Sequence, residues 1–464
     1  MKSYLTKLAV LVFALALVVA LLPTPTEAQD GGDFRPTFEL EGPATEGVLA
    51  GVDPTGVEFE WWHQHGGSRE ERLTELVTEF NENNPWGITV NASNQGGYGD
   101  IYQKVIAGLT TGELPTLVVA YQNQALAYQA GDGIFDMSVF VENPTWGLNE
   151  AEAADYIGSF FNQDFAADGT RIGFPPNRSI EVLYYNMDAL EELGYDAPPS
   201  NWEEFREMSC RFTEEGWSGY DGETLGYMIR TDASNIAAMT YGFGEDIYTD
   251  GEFNYNNPAT VEALSFMQSL LEDGCAGLIP ERFEDQNRFA AGGNLFYVGS
   301  SSGLPFIQAA VNESENPINW GVAYLPYTEV PAVDVYGASV SILQGENITT
   351  EQQLAAWLFV RWFTEPAQQA RWAEASNYFP VRISTTDELG NVFAEIPQYE
   401  QAWNLLLNGE SKTEPAVSGY DVIRDEAEAA FNTILAEGAD VETTLEALDA
   451  RAAEIQAEFE APME

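Results

Sequence analysis

The run Gly299-Ser300-Ser301-Ser302-Gly303 follows a strand-like Phe296-Tyr297-Val298 and precedes a helix-like stretch at 304–311. Peptide N–H groups at a helix start, with serine hydroxyls beside them, make a receptor for an oxyanion or a phosphate. Ser301 and Ser302 are therefore candidate ligand contacts, although a single serine acting as an N-cap would need no ligand. Arg178 and Arg424 stand out because cations are scarce in this chain. An arginine beside a cleft holds a carboxylate or phosphate with two parallel hydrogen bonds, or it pairs with a neighbouring acid. Trp62, at a strand end, suits stacking on a sugar or polyol face, or a place in the core. Tyr98 in Gln95-Gly96-Gly97-Tyr98-Gly99 reads as a ligand contact or a turn aromatic on a glycine-rich loop. His63 and His65 could share one strand face, but a metal there would have to recruit carboxylates, and no metal is expected.

The charge balance limits the partners. Against 74 acidic residues stand 19 basic ones, a formal net charge of −55. Nucleic-acid binding needs clustered Lys and Arg, so no nucleic acid is expected, and anionic lipid is equally disfavoured. The bland reading of such acidity is solubility in a salty exterior. Residues 1–28 read as an export signal: Lys2 and Lys7, an apolar run at 8–22, then a small-residue cleavage site after Ala28, with a retained anchor as the alternative. Without a cysteine after that run, a lipoprotein is not expected; the protein should reach the periplasm or the outer cell surface. In an exported chain the lone cysteines, Cys210 and Cys275, are expected to form a disulfide. No catalytic residues, cofactor, nucleophile elbow or His-Glu-x-x-His motif are expected, and both histidines sit at one strand end.

Those residues must be held by a large framework. Residues 29–56, rich in Gly, Pro, Thr and acids, read as a flexible lead-in. Val57-Glu58-Phe59-Glu60-Trp61-Trp62-His63 alternates as a first strand. Ser68 with Glu71 predicts a capping box, and Leu73, Leu76, Val77 and Phe80 predict its helix. Strands at 88–90 and 115–121 enclose a helix at 102–109, which argues for a parallel sheet covered by helices. Further on, Ser200 with Glu203 predicts a second capping box, and Asn257-Pro258 starts a helix with Val261, Leu264, Met267 and Leu271 on one face. Strands are expected at 321–326 and 336–343, an amphipathic helix at 350–363, and acidic helices at the end of the chain.

The segment Gly173-Phe174-Pro175-Pro176-Asn177-Arg178-Ser179, followed by strand formers at 180–185, is similar to the hinge crossing of extracellular solute-binding proteins of the maltose-binding type. Pro366 to Arg382, with Trp372 and then Asn377-Tyr378-Phe379-Pro380-Val381-Arg382, resembles a second hallmark of that family. The resemblance covers about residues 57–460. It implies an α/β, two-lobed, type II periplasmic-binding fold, with lobes joined by hinge strands around a ligand cleft. One lobe would take 57–176 and 337–376, the other 177–336 and 377–464. The implied protein is a monomer that captures a sugar, polyol or polyol phosphate by hinge closure and delivers it to an ABC permease. Within the family, Trp62-His63, Gly97-Tyr98, Tyr121-Gln122, Ser300-Ser301, Gly337-Ala338-Ser339, Tyr378 and Ile423-Arg424 resemble the glycerol-3-phosphate branch. That implies Tyr98 and Gln122 toward glycerol hydroxyls, and Ser179, Ser301, Gly337, Tyr378 and Arg424 toward phosphate. Two departures stand out: the branch has an acid where Gln122 stands, and Gly-Gly-Ala-Ser where this chain has Tyr336-Gly337-Ala338-Ser339. The alternative reading is an exported carbohydrate-active hydrolase with paired carboxylates, although so many acids make chance pairs unavoidable.

Overall fold

The computed structural model describes residues 47–281 and 283–460. The export signal and residues 29–46 of the lead-in lie outside them. Residues 47–56, expected to continue the lead-in, form turns that bury Leu49 and Val52, because Gly56 N–H bonds Trp86 O and brings them onto the fold.

Two sheets organise the chain. The first is built from β1 (Glu58–His63), β2 (Thr89–Asn94) and β3 (Leu117–Ala120) in parallel. β3 is buried at every position, as its unbroken apolar run requires. The second sheet contains β4 (Ser179–Asn186), β5 (Leu225–Ile229), β8 (Ala276–Leu278), β9 (Asn294–Ser300), β10 (Trp320–Ala323), β11 (Ala332–Tyr336) and β13 (Glu410–Thr413). β6 (Tyr248–Thr249) and β7 (Glu252–Phe253) form a small separate hairpin. β12 (Ser339–Ile342) returns to the first sheet, antiparallel to β3, and gives the order β12-β3-β1-β2. The second sheet runs β13-β11-β4-β9-β5-β8, and β10 shares one edge of β4 with β11. β4 is thus central, and seven of its eight residues are buried. Each sheet has its own apolar cluster: Ile101, Val105, Val118 and Tyr128 on the first; Phe205, Tyr227, Phe296 and Leu264 on the second.

Three segments run between the sheets. Residues 174–179 leave the first sheet where Phe174 and Val340 exchange backbone hydrogen bonds of 2.9 and 3.0 Å. They enter the second as β4. Residues 336–339 go the other way, from β11 to β12. Residues 377–382 lie alongside: Phe379 N–H donates to Arg178 O at 2.8 Å, and Ile157 N–H to Val381 O at 2.9 Å.

Several local expectations shift. The Ser68–Asn83 helix takes its first turn from Gly67, whose φ of 61° suits glycine, and Glu71 N–H bonds Gly67 O rather than the Ser68 hydroxyl. The second cap is Asn201, whose side chain accepts from Glu204 N–H, while Ser200 hydrogen-bonds the Glu204 carboxylate. Asn257 and Pro258 start the Pro258–Glu272 helix as read, but Leu270 replaces Leu271 on its buried face. The Thr350–Phe363 helix is buried from Gln353 to Phe363, on its polar side too. It is covered there by Phe140 and by Trp146, whose carbonyl accepts from Trp357 Nε1, and its Arg361 is neutralised by Glu152 at 2.7 Å.

Cys210 and Cys275 form a disulfide, 65 residues apart. Loop-closure entropy over that length stabilises by about 4 kcal/mol. The Cys210→Ser/Cys275→Ser protein should therefore lose about that much in urea unfolding. A loss below ~1 kcal/mol would show that the loop between them is already ordered in the denatured chain.

Candidate functional site

The strand ends of both sheets converge on a cavity of about 340 Å³. Tyr121, Gln122 and Asn123 reach it from the end of β3. From the second sheet come Glu181 of β4, Arg230 and Asp232 after β5, Ser300 at the end of β9, and Tyr336 at the end of β11. Glu414 after β13, with Tyr420, Asp421 and Arg424 of the Tyr420–Glu437 helix, closes the far side. A crevice beyond the strand ends, between chain crossings, is where open α/β sheets take ligands.

Of the residues singled out in the sequence, Gln122, Gly337 and Arg424 line this cavity. Gln122 is oriented by three contacts: its Nε2 lies 2.8 Å from Asp164 Oδ1, 3.4 Å from Ser339 Oγ and 3.5 Å from Gly337 O. Gly337 has φ 145°, a conformation that side chains rarely adopt, and this lets the crossing pass close to Arg178. Arg424 is held by Glu414 and donates to Ser234 Oγ at 3.0 Å.

The others lie elsewhere. Arg178 is fully buried and is not a ligand contact. Its Nε donates to Gln163 at 2.7 Å, Nη1 to the carbonyls of Asn177 and Ala338, and Nη2 to Asp164 and, at 2.7 Å, to Ser339 Oγ. Its donors are consumed in tying the crossings together. Ser179 donates to Tyr336 O, and buried Ser301 accepts from Ile180 N–H at 3.1 Å, so both brace β4 and neither faces the cavity. The serine that lines it is Ser300. The run also has Gly-x-Ser-x-Gly spacing, contrary to the reading that no nucleophile elbow is present. Ser301 nonetheless has no histidine partner, because both imidazoles are packed in the other lobe. His63 is buried against Trp61 and His65, and burial lowers its pKa. His65 packs edge-on to Trp372, and burial, then His63 and Arg69, pushes it down to about 3. Trp62 is half-buried against the core of the first sheet.

Tyr98 and Tyr378 meet at the mouth of the cleft. Tyr98 is the first residue of the Tyr98–Thr111 helix rather than a loop residue, since Gly97 serves as its N-cap. Its ring lies edge-on to Tyr121 at 4.8 Å, and Gln64 donates to its hydroxyl at 2.8 Å. The Arg69 guanidinium covers the Tyr378 ring at 4.8 Å and the Phe306 ring at 5.5 Å. It donates to Ser376 O at 2.9 Å and Ser302 O at 3.0 Å, so Ser302 serves as a lip contact between the two lobes. Elsewhere in the cavity wall Asp421 lies beside Asn123, and burial raises its carboxyl.

The acids are the part of the site that sequence reasoning missed. Glu181, Asp232, Glu414 and Asp421 look no different in the sequence from the other acids. Register alone reveals the most consequential pair: Val335 faces Ile180 and Tyr336 faces Ser179, which sets Asp334 opposite Glu181 across β11 and β4. Tyr336 OH donates to Glu181 Oε2 at 2.6 Å. Burial first, and then Asp232, raises the Glu181 carboxyl to about 8, against the Tyr336 hydrogen bond that lowers it. Asp334 is buried with both oxygens unpartnered, and burial, Glu414 and Glu181 raise it well above the carboxylate range.

A sequence model of the bacterial extracellular solute-binding proteins matches residues 75–401. Over 409 residues the chain is 25% identical to the sn-glycerol-3-phosphate-binding periplasmic protein UgpB of Rhizobium meliloti, which covers 84% of this chain and 91% of that protein. Among solved structures, the cyclic alpha-maltosyl-1,6-maltose binding protein of Arthrobacter globiformis superposes with TM-score 0.73 at 19% identity, over 87% of this chain and 99% of that one. UgpB of Mycobacterium tuberculosis in complex with glycerophosphocholine superposes with TM-score 0.72 at 22% identity, over 86% and 98%.

Two outcomes test this geometry. Asp164→Ala strands the buried Arg178 charge and should lower stability by about 3–5 kcal/mol in urea unfolding; a loss under ~1 kcal/mol would remove the pair from its structural role. The raised Glu181 carboxyl keeps its proton in the folded state, so its contribution to stability is full below the unfolded value of about 4.5 and is lost as pH rises toward about 8. Glu181→Gln does not titrate. Relative to the parent it should gain a few kcal/mol between pH 4 and pH 9, at ~1.4 kcal/mol per pKa unit. A stability difference that stays flat with pH would contradict the shift.

Proposed function

The chain belongs to the bacterial extracellular solute-binding proteins, and on that premise we propose that it captures a carbohydrate, polyol or glycerophosphate-type solute between its lobes and delivers it to an ABC permease in the membrane. The observation that carries the reading is the cavity itself, whose walls come from the strand ends of two sheets with separate cores. A solute touching both walls stabilises the approach of the lobes, and the permease would read that closed form. Gln122 and the Ser300 and Ser234 hydroxyls offer hydrogen bonds to a hydroxylated ligand, while Tyr121 and Tyr336 offer aromatic walls. We take the lobes to be 57–176 with 337–376, and 177–336 with 377–464, working as a monomer outside the cytoplasm. Among the described residues no helix is long and apolar enough to cross a membrane. The family's role is binding, and a hydrolase would need an acid and a base on the scissile bond, whereas Glu414 is consumed by Arg424, Tyr420 and Ser234.

A thermal-shift screen of the mature protein against neutral sugars, polyols, amino sugars and glycerophosphates tests the reading. At a hundred times its dissociation constant a solute adds about 2.7 kcal/mol, which moves the midpoint by several degrees. The same solute should reduce the radius of gyration and give no shift with a Tyr121→Ala/Tyr336→Ala protein. A panel without any shift, or a shift that survives in the double variant, would remove the cavity as the binding site.

A further inference from the structure

The charge inside the cleft points to the kind of solute it accepts, an inference that rests on the binding reading above. Two arginines line the cavity, and both are already spoken for. Arg230 pairs with Asp285 and donates to Tyr297 OH at 3.2 Å, and Arg424 pairs with Glu414. Glu414 in turn accepts from Tyr420 OH at 2.7 Å and from Ser234. A phosphate that took the remaining N–H groups of Arg424 would sit beside the Glu414 carboxylate that already neutralises it, two anions on one cation in a confined space.

The acids are in the opposite position. Glu181, Asp232 and Asp421 face the same cavity, and among the described residues none of them has an ion-pair partner. Two of them are held by neutral donors instead, Glu181 by Tyr336 OH and Asp232 by the Asn235 N–H, and Asp421 lies beside Asn123. Behind them, Asp334 is 2% exposed, and neither of its oxygens has a partner. Burial keeps the protons of Glu181 and Asp334 in place, so closing the lobes removes water from the two remaining carboxylates, Asp232 and Asp421, and strengthens the repulsion between them. A neutral sugar would leave that repulsion uncompensated, and a phosphate monoester would add to it. A positive charge removes it. The walls suit a cation as well, because the aromatic rings of Tyr121 and Tyr336 line the cavity beside the acids.

We propose that the cleft takes a hydroxylated solute bearing an ammonium or quaternary ammonium group, with Asp232 and Asp421 as its counter-ions and the cleft tyrosines around it, and that it rejects phosphate monoesters. Asp232 and Asp421 stand on helices of the second lobe, and the helix of Asp421 packs against the Gln122–Ala130 helix of the first, whose Asn123 lines the cavity with it. A cation seated there therefore neutralises the charge at the point where the lobes meet. Charge selection and closure become one event.

The test is isothermal titration of the full mature protein with matched probes: glucosamine against glucose, galactosamine against galactose, and glycerophosphocholine against glycerol-3-phosphate. In every pair that binds, the cationic member should bind at least tenfold tighter, and more weakly as salt is raised. Asp232→Asn keeps the helix cap and Asp421→Asn keeps the shape. Each should weaken the cationic probe about tenfold while leaving the unfolding midpoint of the free protein in place. Glucose, galactose or glycerol-3-phosphate binding as tightly as its cationic partner would overturn the proposal, as would unchanged affinity in the Asp232→Asn/Asp421→Asn protein. Silence from all six probes, with a shift elsewhere in the thermal panel, would overturn it if that solute is neutral or anionic and support it if the solute carries an amine. Silence throughout both would overturn the binding reading itself.

Discussion

The Arg178–Asp164 ion pair, buried to within 1% of complete exclusion from water, is the contact on which the rest of the structure depends. Two such charges are expensive to bury and are tolerated only when hydrogen bonds use their remaining valences. Here they do. Arg178 belongs to the first crossing, donates to the Ala338 carbonyl and Ser339 hydroxyl of the second, and exchanges backbone hydrogen bonds with Phe379 of the third. Asp164 accepts from Ser339 Oγ and, at 2.8 Å, from Gln122 Nε2. A single charged centre thus fixes the register of three strands and aims one cavity residue. Separating the pair would leave charge stranded in a dry interior, so the three crossings are held as one unit.

The cavity shows a second use of buried charge. Along β4 and β11, Glu181 and Asp334 face each other where a sheet would ordinarily place a hydrophobic or opposite-charge pair. Folding alone gains nothing from this arrangement. Burial disfavours both ionised forms, and repulsion raises each further. Functional sites are where such strain is retained, because a ligand can relieve it.

Much of the framework was legible from sequence because it follows local rules. The apolar run of β3, the Asn257-Pro258 helix start, the Pro-Pro crossing into β4 and the cysteine pair all depend on near neighbours or on a pairing with one possible partner. Caps slipped by one residue at Gly67 and Asn201, since adjacent residues compete for the same orphan N–H groups and tertiary packing decides between them. The all-round burial of the Thr350–Phe363 helix was not legible, because its polar residues are covered by segments two hundred residues away.

The site was legible in place but not in person. Reading strand ends located the crevice, since Tyr121-Gln122, Gly337 and the serine run all terminate strands. Choosing the residue within a strand end failed where a step of one position turns a side chain from cavity to core: Ser300 rather than Ser301. Scarcity misled in a different way. Arginine is rare here, so Arg178 looked like a ligand group, but an arginine surrounded by acids is an early charge for folding to consume; Arg424 lines the cavity while paired with Glu414. With 74 acids against 19 bases, acids outnumber the cationic partners that folding can give them. What such a protein withholds from its own fold is carboxylate, and the chemistry of its cleft should be read from the acids that remain unpaired.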